Sequence, residues 1–143
     1  VTLVDTAGFD ITSYTEIERA STRMARLATT YAESNNTHVT VITGRAYGTA
    51  SVLLGSRAIG SDICLALEGA DISIITPETA VQFMYGDEID SAADPREARR
   101  ARIAEWKEKH GGTGEAAIEG EIDDIIAPAE LRARIAAAVK EFR

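Results

Sequence analysis

The stretch Val39-Thr-Val-Ile-Thr-Gly-Arg-Ala-Tyr-Gly-Thr-Ala-Ser-Val-Leu-Leu54 decides the fold. Its first five residues, Val39 to Thr43, form the apolar, β-branched run of a buried, central parallel strand. Gly44 and Gly48 break that run, and Thr49 to Leu54 reads as the start of an apolar helix. A strand feeding a glycine turn that opens a helix leaves backbone N–H groups free at the helix start. The helix dipole favours negative charge at the same place. Such a turn can hold a phosphate, a carboxylate or a developing oxyanion. It is also the ordinary connection of any α/β protein, and the local pattern does not separate the two readings.

Outward from this stretch, strands alternate with helices. Residues 1–5 read as a strand, 6–9 as a turn, and about 14–33 as a long helix. In that helix Ile17, Ala20, Met24, Leu27, Ala28 and Tyr31 recur at helical spacing. Beyond the helix that runs from 49 to about 58, residues 63–67 and 71–76 read as two more strands. Thr76-Pro77-Glu78 is a helix start, a hydroxyl cap followed by proline at the first position. That helix carries Ala80, Val81, Phe83 and Met84 and is expected to stop near Gly86. Asp94-Pro-Arg-Glu97 opens the next one with a carboxylate cap. It is rich in Arg and Lys as far as about His110, a pattern that usually marks a solvated face. A short helical segment at 115–119 leads to a strand at 122–126. Pro128 then opens a terminal helix with Leu131, Ile135, Val139 and Phe142 on one face. The alternation predicts an α/β domain or part-domain with parallel pairing. Because Val1 opens directly in a strand, the chain is expected to be the C-terminal part of a longer polypeptide.

The chain has 143 residues and a net charge of −8, enough length for a core and too acidic for nonspecific nucleic-acid binding. The lone cysteine, Cys64, sits in an apolar run, excludes an intrachain disulfide and fits a reducing, cytoplasmic setting. No apolar run approaches membrane-spanning length. His38 and His110 lie at element ends, away from any nucleophile motif and without metal-ligand spacing, so no metal site is expected. Neither a P-loop nor a Rossmann glycine fingerprint occurs. Asp87-Glu88 and Asp123-Asp124 read as helix-end and strand-edge charges. The best chemical candidate is therefore the backbone at Gly48-Thr49-Ala50, where small residues let a carbonyl come close.

Four segments in order carry a family resemblance. Val4-Asp-Thr-Ala-Gly-Phe9 resembles the Val-Asp-Thr-Pro-Gly-Phe turn of biotin-dependent acyl-CoA carboxyltransferases. Val41-Ile-Thr-Gly-Arg-Ala-Tyr-Gly-Thr-Ala50 is similar to their Thr-Arg-Lys-Ala-Tyr-Gly-Gly-Ala segment. Gly60-Ser-Asp62 with Ala70-Asp-Ile-Ser-Ile74 resembles their Gly-Asp and Ala-Glu-Ile-Ala-Val strands. Glu119-Gly-Glu-Ile-Asp-Asp-Ile-Ile-Ala-Pro128 is similar to their Gly-Tyr-Ile-Asp-Asp-Val-Ile-Pro ending.

The resemblance implies that residues 1–143 are the C-terminal portion of a carboxyltransferase domain with the crotonase-like (ClpP/crotonase) fold. It implies carboxyl transfer between carboxybiotin and an acyl-CoA, the biotin arriving on a separate biotin carboxyl carrier protein. It assigns the N–H groups of Thr49 and Ala50 to an oxyanion hole for the biotin ureido oxygen. Gly48 and Val52 become substrate-binding positions, Val52 near the acyl-chain end. Other carboxyltransferase subunits and a homo-oligomer with the active site between subunits are implied partners. The sequence departs from the family at Ala7, at Thr49 (a glycine in the family) and at Gly111-Gly-Thr-Gly-Glu115. Two other readings stand beside this one: a crotonase-type acyl-CoA enzyme without biotin, and a non-catalytic subunit that kept the fold.

Overall fold

A computed structural model describes residues 1–10 and 12–142. Five strands, β1 (Thr2–Thr6), β2 (Val39–Tyr47), β3 (Ile63–Leu67), β4 (Asp71–Ser73) and β5 (Asp124–Ile126), build one parallel sheet. Its order is β1-β2-β3-β5, and β4 joins β2 beyond the end of β3. The helices are α1 (Ser13–Ile17), α2 (Ala20–Glu33), α3 (Gly48–Leu53), α4 (Pro77–Asp90), α5 (Pro95–His110), α6 (Gly114–Ile118) and α7 (Leu131–Glu141).

β2 is the central strand, with Val39, Thr40, Val41 and Ile42 all buried. Alternate residues supply two cores. Val4, Ile42, Cys64, Ala66, Ala116 and Ile122 pack on one face; Val39, Val41, Leu65, Ile126 and Ala138 pack on the other, under α7. A parallel strand covered on both faces has no solvated side, which is why 39–42 reads as a β-branched run whose one polar residue, Thr40, is buried.

The strand does not stop at Gly44. It continues to Tyr47 through a bulge: Val4 pairs with Ile42, but Thr6 pairs with Ala46. The Asp5 carboxylate closes the bulge, accepting the Arg45 backbone N–H at 3.0 Å and Arg45 Nε–H at 3.3 Å. Thr43 Oγ1 donates to the Val4 carbonyl at 3.1 Å. Gly44 serves this closure, and the re-aimed end of β2 then pairs with β4, Arg45 to Asp71 and Tyr47 to Ser73.

Other boundaries shift for local reasons. The first long helix breaks at Arg19, which adopts a left-handed φ of 57°, and Ile17 is left 77% exposed. α3 ends at Leu53 because the buried Thr40 hydroxyl holds the following turn, donating to the Gly55 carbonyl at 2.5 Å. β4 covers only Asp71–Ser73. β5 begins at Asp124, two residues later than the pattern predicts. α4 runs through Gly86 to Asp90, its last turn anchored by the buried Ile89. The penalty for one glycine in a helix is about 1 kcal/mol, less than burial of an isoleucine returns. On α7 the buried position is Ala138, flanked by Leu131 and Ile135, while Val139 and Phe142 stay partly exposed.

Candidate functional site

The site assembles where the bulged end of β2 turns into α3. Gly48 takes a left-handed φ of 64° and begins the helix directly after Tyr47. Tyr47 occupies the cap position but supplies no side-chain cap bond. The N–H groups of Thr49 and Ala50 lie in the first turn of α3, and no side chain caps them. Helix geometry orphans these first-turn donors. Ser51 Oγ donates back to the Gly48 carbonyl at 2.7 Å and stiffens the turn.

Two cavities meet at this turn. The first, of about 300 Å³, lies between α3 and the sheet face, with Ile42, Cys64, Ile72 and Ile122 among its apolar walls and Val52 and Thr49 at α3. The second, of about 360 Å³, lies between the turn 7–9 and the segment 74–79. Gly48, Thr49 and Ile74 line both. Ala50 is buried, Thr49 is exposed, and Val52 is 42% exposed. Of the four residues that the sequence nominates, Gly48, Thr49 and Val52 line the first cavity and Ala50 lines neither.

Sequence reading missed one part-buried polar pair beneath them. Tyr47, only 7% exposed, donates its hydroxyl to Asp71 Oδ2 at 2.5 Å. Burial, then the hydrogen bond to the Asp71 carboxylate, push its phenol well above the usual range, so it stays protonated. The aspartate in Ala70-Asp-Ile and the tyrosine before Gly48 were visible as residues, but nothing in their spacing joined them.

The remaining candidates are structural. His38 stacks edge-on against Tyr31 with centroids 5.5 Å apart. His110 lies 4.4 Å from the Trp106 ring and 3.7 Å from Glu115. Neither lines the two cavities. Asp123 accepts the Cys64 N–H at 2.8 Å and pairs with Arg57; Asp124 pairs with Arg134. Arg102 of the basic helix bonds Glu88 at 2.6 Å and lies over the Tyr85 ring, clamping α4 to α5. Cys64 is buried, and desolvation pushes its thiol up to about 11. No cluster of three His, Cys, Asp or Glu side chains suited to a metal occurs among the described residues. No helix among them is long and apolar enough to cross a membrane.

The carboxyl transferase domain family model matches residues 1–141. The chain belongs to this family. It is 41% identical over 111 residues to a putative propionyl-CoA carboxylase beta chain of Bacillus subtilis (strain 168), covering 78% of this chain and 22% of that protein. It is 34% identical over 143 residues to the biotin-dependent acetyl-/propionyl-coenzyme A carboxylase beta5 subunit of Mycobacterium leprae, covering 97% of this chain and 26% of that one. The crystal structure of transcarboxylase 12S, solved as a hexamer with methylmalonyl-coenzyme A bound, superposes with a TM-score of 0.88. That match has 30% identity and covers 98% of this chain and 27% of that one. The chain therefore spans about a quarter of these carboxyltransferase relatives. Its α/β architecture is the crotonase-like fold.

Proposed function

We propose that this chain forms part of an active site that transfers a carboxyl group between carboxybiotin and an acyl-CoA. The observation that carries the reading is the uncapped first turn of α3, with Gly48 and Thr49 lining two cavities and the Ala50 N–H beside them. These donors fit a carbonyl oxygen that gains negative charge as the reaction proceeds, and they need no reorganisation to receive it. When bound, the biotin of a separate carrier protein supplies the transferable carboxyl. This chain's own part is to hold the ureido oxygen against the two N–H groups and stabilise its charge. Gly48 contributes closeness, having no side chain beside the turn. The apolar walls at Val52, Ile72 and Ile74 suit an acyl chain.

In this reading acyl-CoA, the carrier and other carboxyltransferase subunits are the partners, in a homo-oligomer. The α4 face that bears Phe83, 86% exposed, and Met84, 59% exposed, is apolar surface of the kind that meets another subunit. The test is carboxyl transfer from carboxybiotin to propionyl-CoA or acetyl-CoA by the complete enzyme carrying Ala50→Pro. Proline removes one donor outright. Loss of one oxyanion donor is worth roughly 10²–10³ in rate. A folded Ala50→Pro enzyme with normal turnover would refute the reading.

A further inference from the structure

We propose that Tyr47 and Asp71 act together as positioning residues that set the orientation of the α3 first turn. The proposal rests on the oxyanion reading of Thr49 and Ala50 and adds what holds those groups in place.

α4 and α5 are held by their own caps: Thr76 accepts the Thr79 N–H, and Asp94 accepts from Arg96 and Glu97. α3 has no side-chain cap, and it is only Gly48–Leu53 long. A helix of six residues is too short to fix its own direction. Its entry residue must be anchored from outside. Tyr47 is that residue, and its hydroxyl reaches across to β4, where Asp71 accepts it at 2.5 Å. The other Asp71 oxygen accepts the Gly112 N–H at 3.1 Å. Gly112 also takes the Ile72 N–H on its carbonyl, at 3.4 Å. Gly112 can do so because it turns at a left-handed φ of 88°. One carboxylate thus ties together the β2–α3 junction, β4 and the turn between α5 and α6.

Gly112 belongs to the Gly-Gly-Thr-Gly-Glu segment where this chain departs from its family's pattern. Tyr47 also borders the second cavity beside Gly48 and Thr49, so a tilt of its ring moves the floor on which the donors sit. An oxyanion site loses rate steeply with displacement: about 1 Å can cost 10²-fold. The pair touches none of the reacting atoms; it acts through the peptide units that follow Tyr47.

The experiment compares Tyr47→Phe, Asp71→Asn, Asp71→Ala and the Tyr47→Phe/Asp71→Ala double variant in the complete enzyme, with Ala50→Pro alongside. Turnover with propionyl-CoA is measured per folded molecule, the folded fraction being read by circular dichroism below the unfolding transition. Tyr47→Phe and Asp71→Ala are each expected to lower kcat by roughly 10- to 100-fold with KM for propionyl-CoA within about two-fold. Asp71→Asn keeps one acceptor oxygen, for the phenol or for the Gly112 N–H but not for both, and is expected to fall between the wild type and Asp71→Ala. The double variant should be no slower than either single one, because both break the same tie. A structural role alone would lower the unfolding temperature and leave kcat per folded molecule unchanged, which overturns the proposal. So do losses that multiply in the double variant, or an Asp71→Asn enzyme as slow as Asp71→Ala. If Tyr47→Phe does not fold, the Asn and Ala variants at Asp71 decide by the same split. If Ala50→Pro is slow while Tyr47→Phe is normal, only the positioning role falls. If Ala50→Pro is normal, the oxyanion reading falls and takes the positioning role with it.

Discussion

Asp5 occupies the space that a side chain on Gly44 would need. A Cβ on Gly44 would lie 2.8 Å from the Asp5 carboxyl carbon and 2.8 Å from Oδ1, closer than any real contact. The glycine therefore serves the bulge in β2, whose far end carries Tyr47 and the α3 turn.

Gly44→Ala is accordingly expected to swing the Asp5 carboxylate out and break its bonds to Arg45. Those bonds, first to the Arg45 backbone N–H and then to its guanidinium, hold the Asp5 carboxyl below its ordinary value. In Gly44→Ala that value should rise back towards the usual carboxylate range, as followed by NMR titration. A depressed carboxyl stabilises the fold above its unfolded-state value and loses that contribution as pH falls through the folded-state value. The wild type should therefore weaken more than Gly44→Ala on acidification below about pH 4. An Asp5 titration identical in both proteins would show that the bulge closes some other way.

The Thr40 hydroxyl gives a second test of how the fold places α3. It donates to the Gly55 carbonyl and accepts from Ser61 Oγ at 3.2 Å, all within the buried sheet face. Thr40→Val keeps the shape and strands the Gly55 carbonyl, while Ser61 Oγ still reaches the Ile63 carbonyl at 3.0 Å. Leaving one buried polar group unpaired costs about 1–3 kcal/mol. Urea unfolding should show a lower midpoint at unchanged slope. An unchanged midpoint would mean that water or a rearranged Ser61 satisfies the turn.

The sheet was legible because burial on both faces writes itself directly into 39–42 and 63–67 as apolar runs. Helix starts were legible where side chains do the capping, at Thr76 and Asp94. The donor pair at Thr49 and Ala50 could be located because glycine and small residues after a strand are local signals. The bulge was not legible: Gly44 reads as a strand end until Asp5, 39 residues away in sequence, is seen filling its empty side. The Tyr47–Asp71 pair was hidden for the same reason, since it depends on β4 joining β2 beyond β3. Such contacts are set by topology, and one sequence shows no trace of them.

Cys64 predicts an alkaline weakness. Desolvation first, and then the nearby Asp123 charge, push its thiol up to about 11, from 9.0 in water. A raised value means the folded state keeps the proton longer. The stability it contributes is fully present below about pH 9 and is lost as pH rises through about 11. Cys64→Ala should therefore lose less stability than the wild type between those limits, read as urea midpoints at each pH. The same burial makes the native thiol slow to react with iodoacetamide at pH 8, and fast in urea. Rapid labelling of the folded protein would place the thiol in solvent and remove the basis for both expectations.

Neither histidine is expected to matter for turnover. His38→Ala removes an edge contact with Tyr31, and His110→Ala removes a stack on Trp106. Both lie away from the α3 turn, so activity of the complete enzyme should stay within a few-fold. Loss of a general base typically costs 10²–10⁴-fold. A drop of that size in either variant would point to acid–base chemistry in place of backbone donors.

Thr49 separates the donor from its side chain. The residue is exposed, lines both cavities and carries one of the two proposed N–H donors. Thr49→Gly keeps the N–H and clears the side chain from the approach to it, so turnover should hold or rise. The same change costs helix stability, roughly a few tenths of a kcal/mol, the gap between threonine and glycine propensities. Unfolding midpoint and rate should therefore move in opposite directions, or the rate should stay constant. Thr49→Val retains both bulk and N–H and loses only the hydroxyl. If backbone donors carry the chemistry, it should match the wild type. A Thr49→Gly enzyme and a Thr49→Val enzyme that are both inactive, though folded, would assign the reaction to the hydroxyl and not to the N–H beside it.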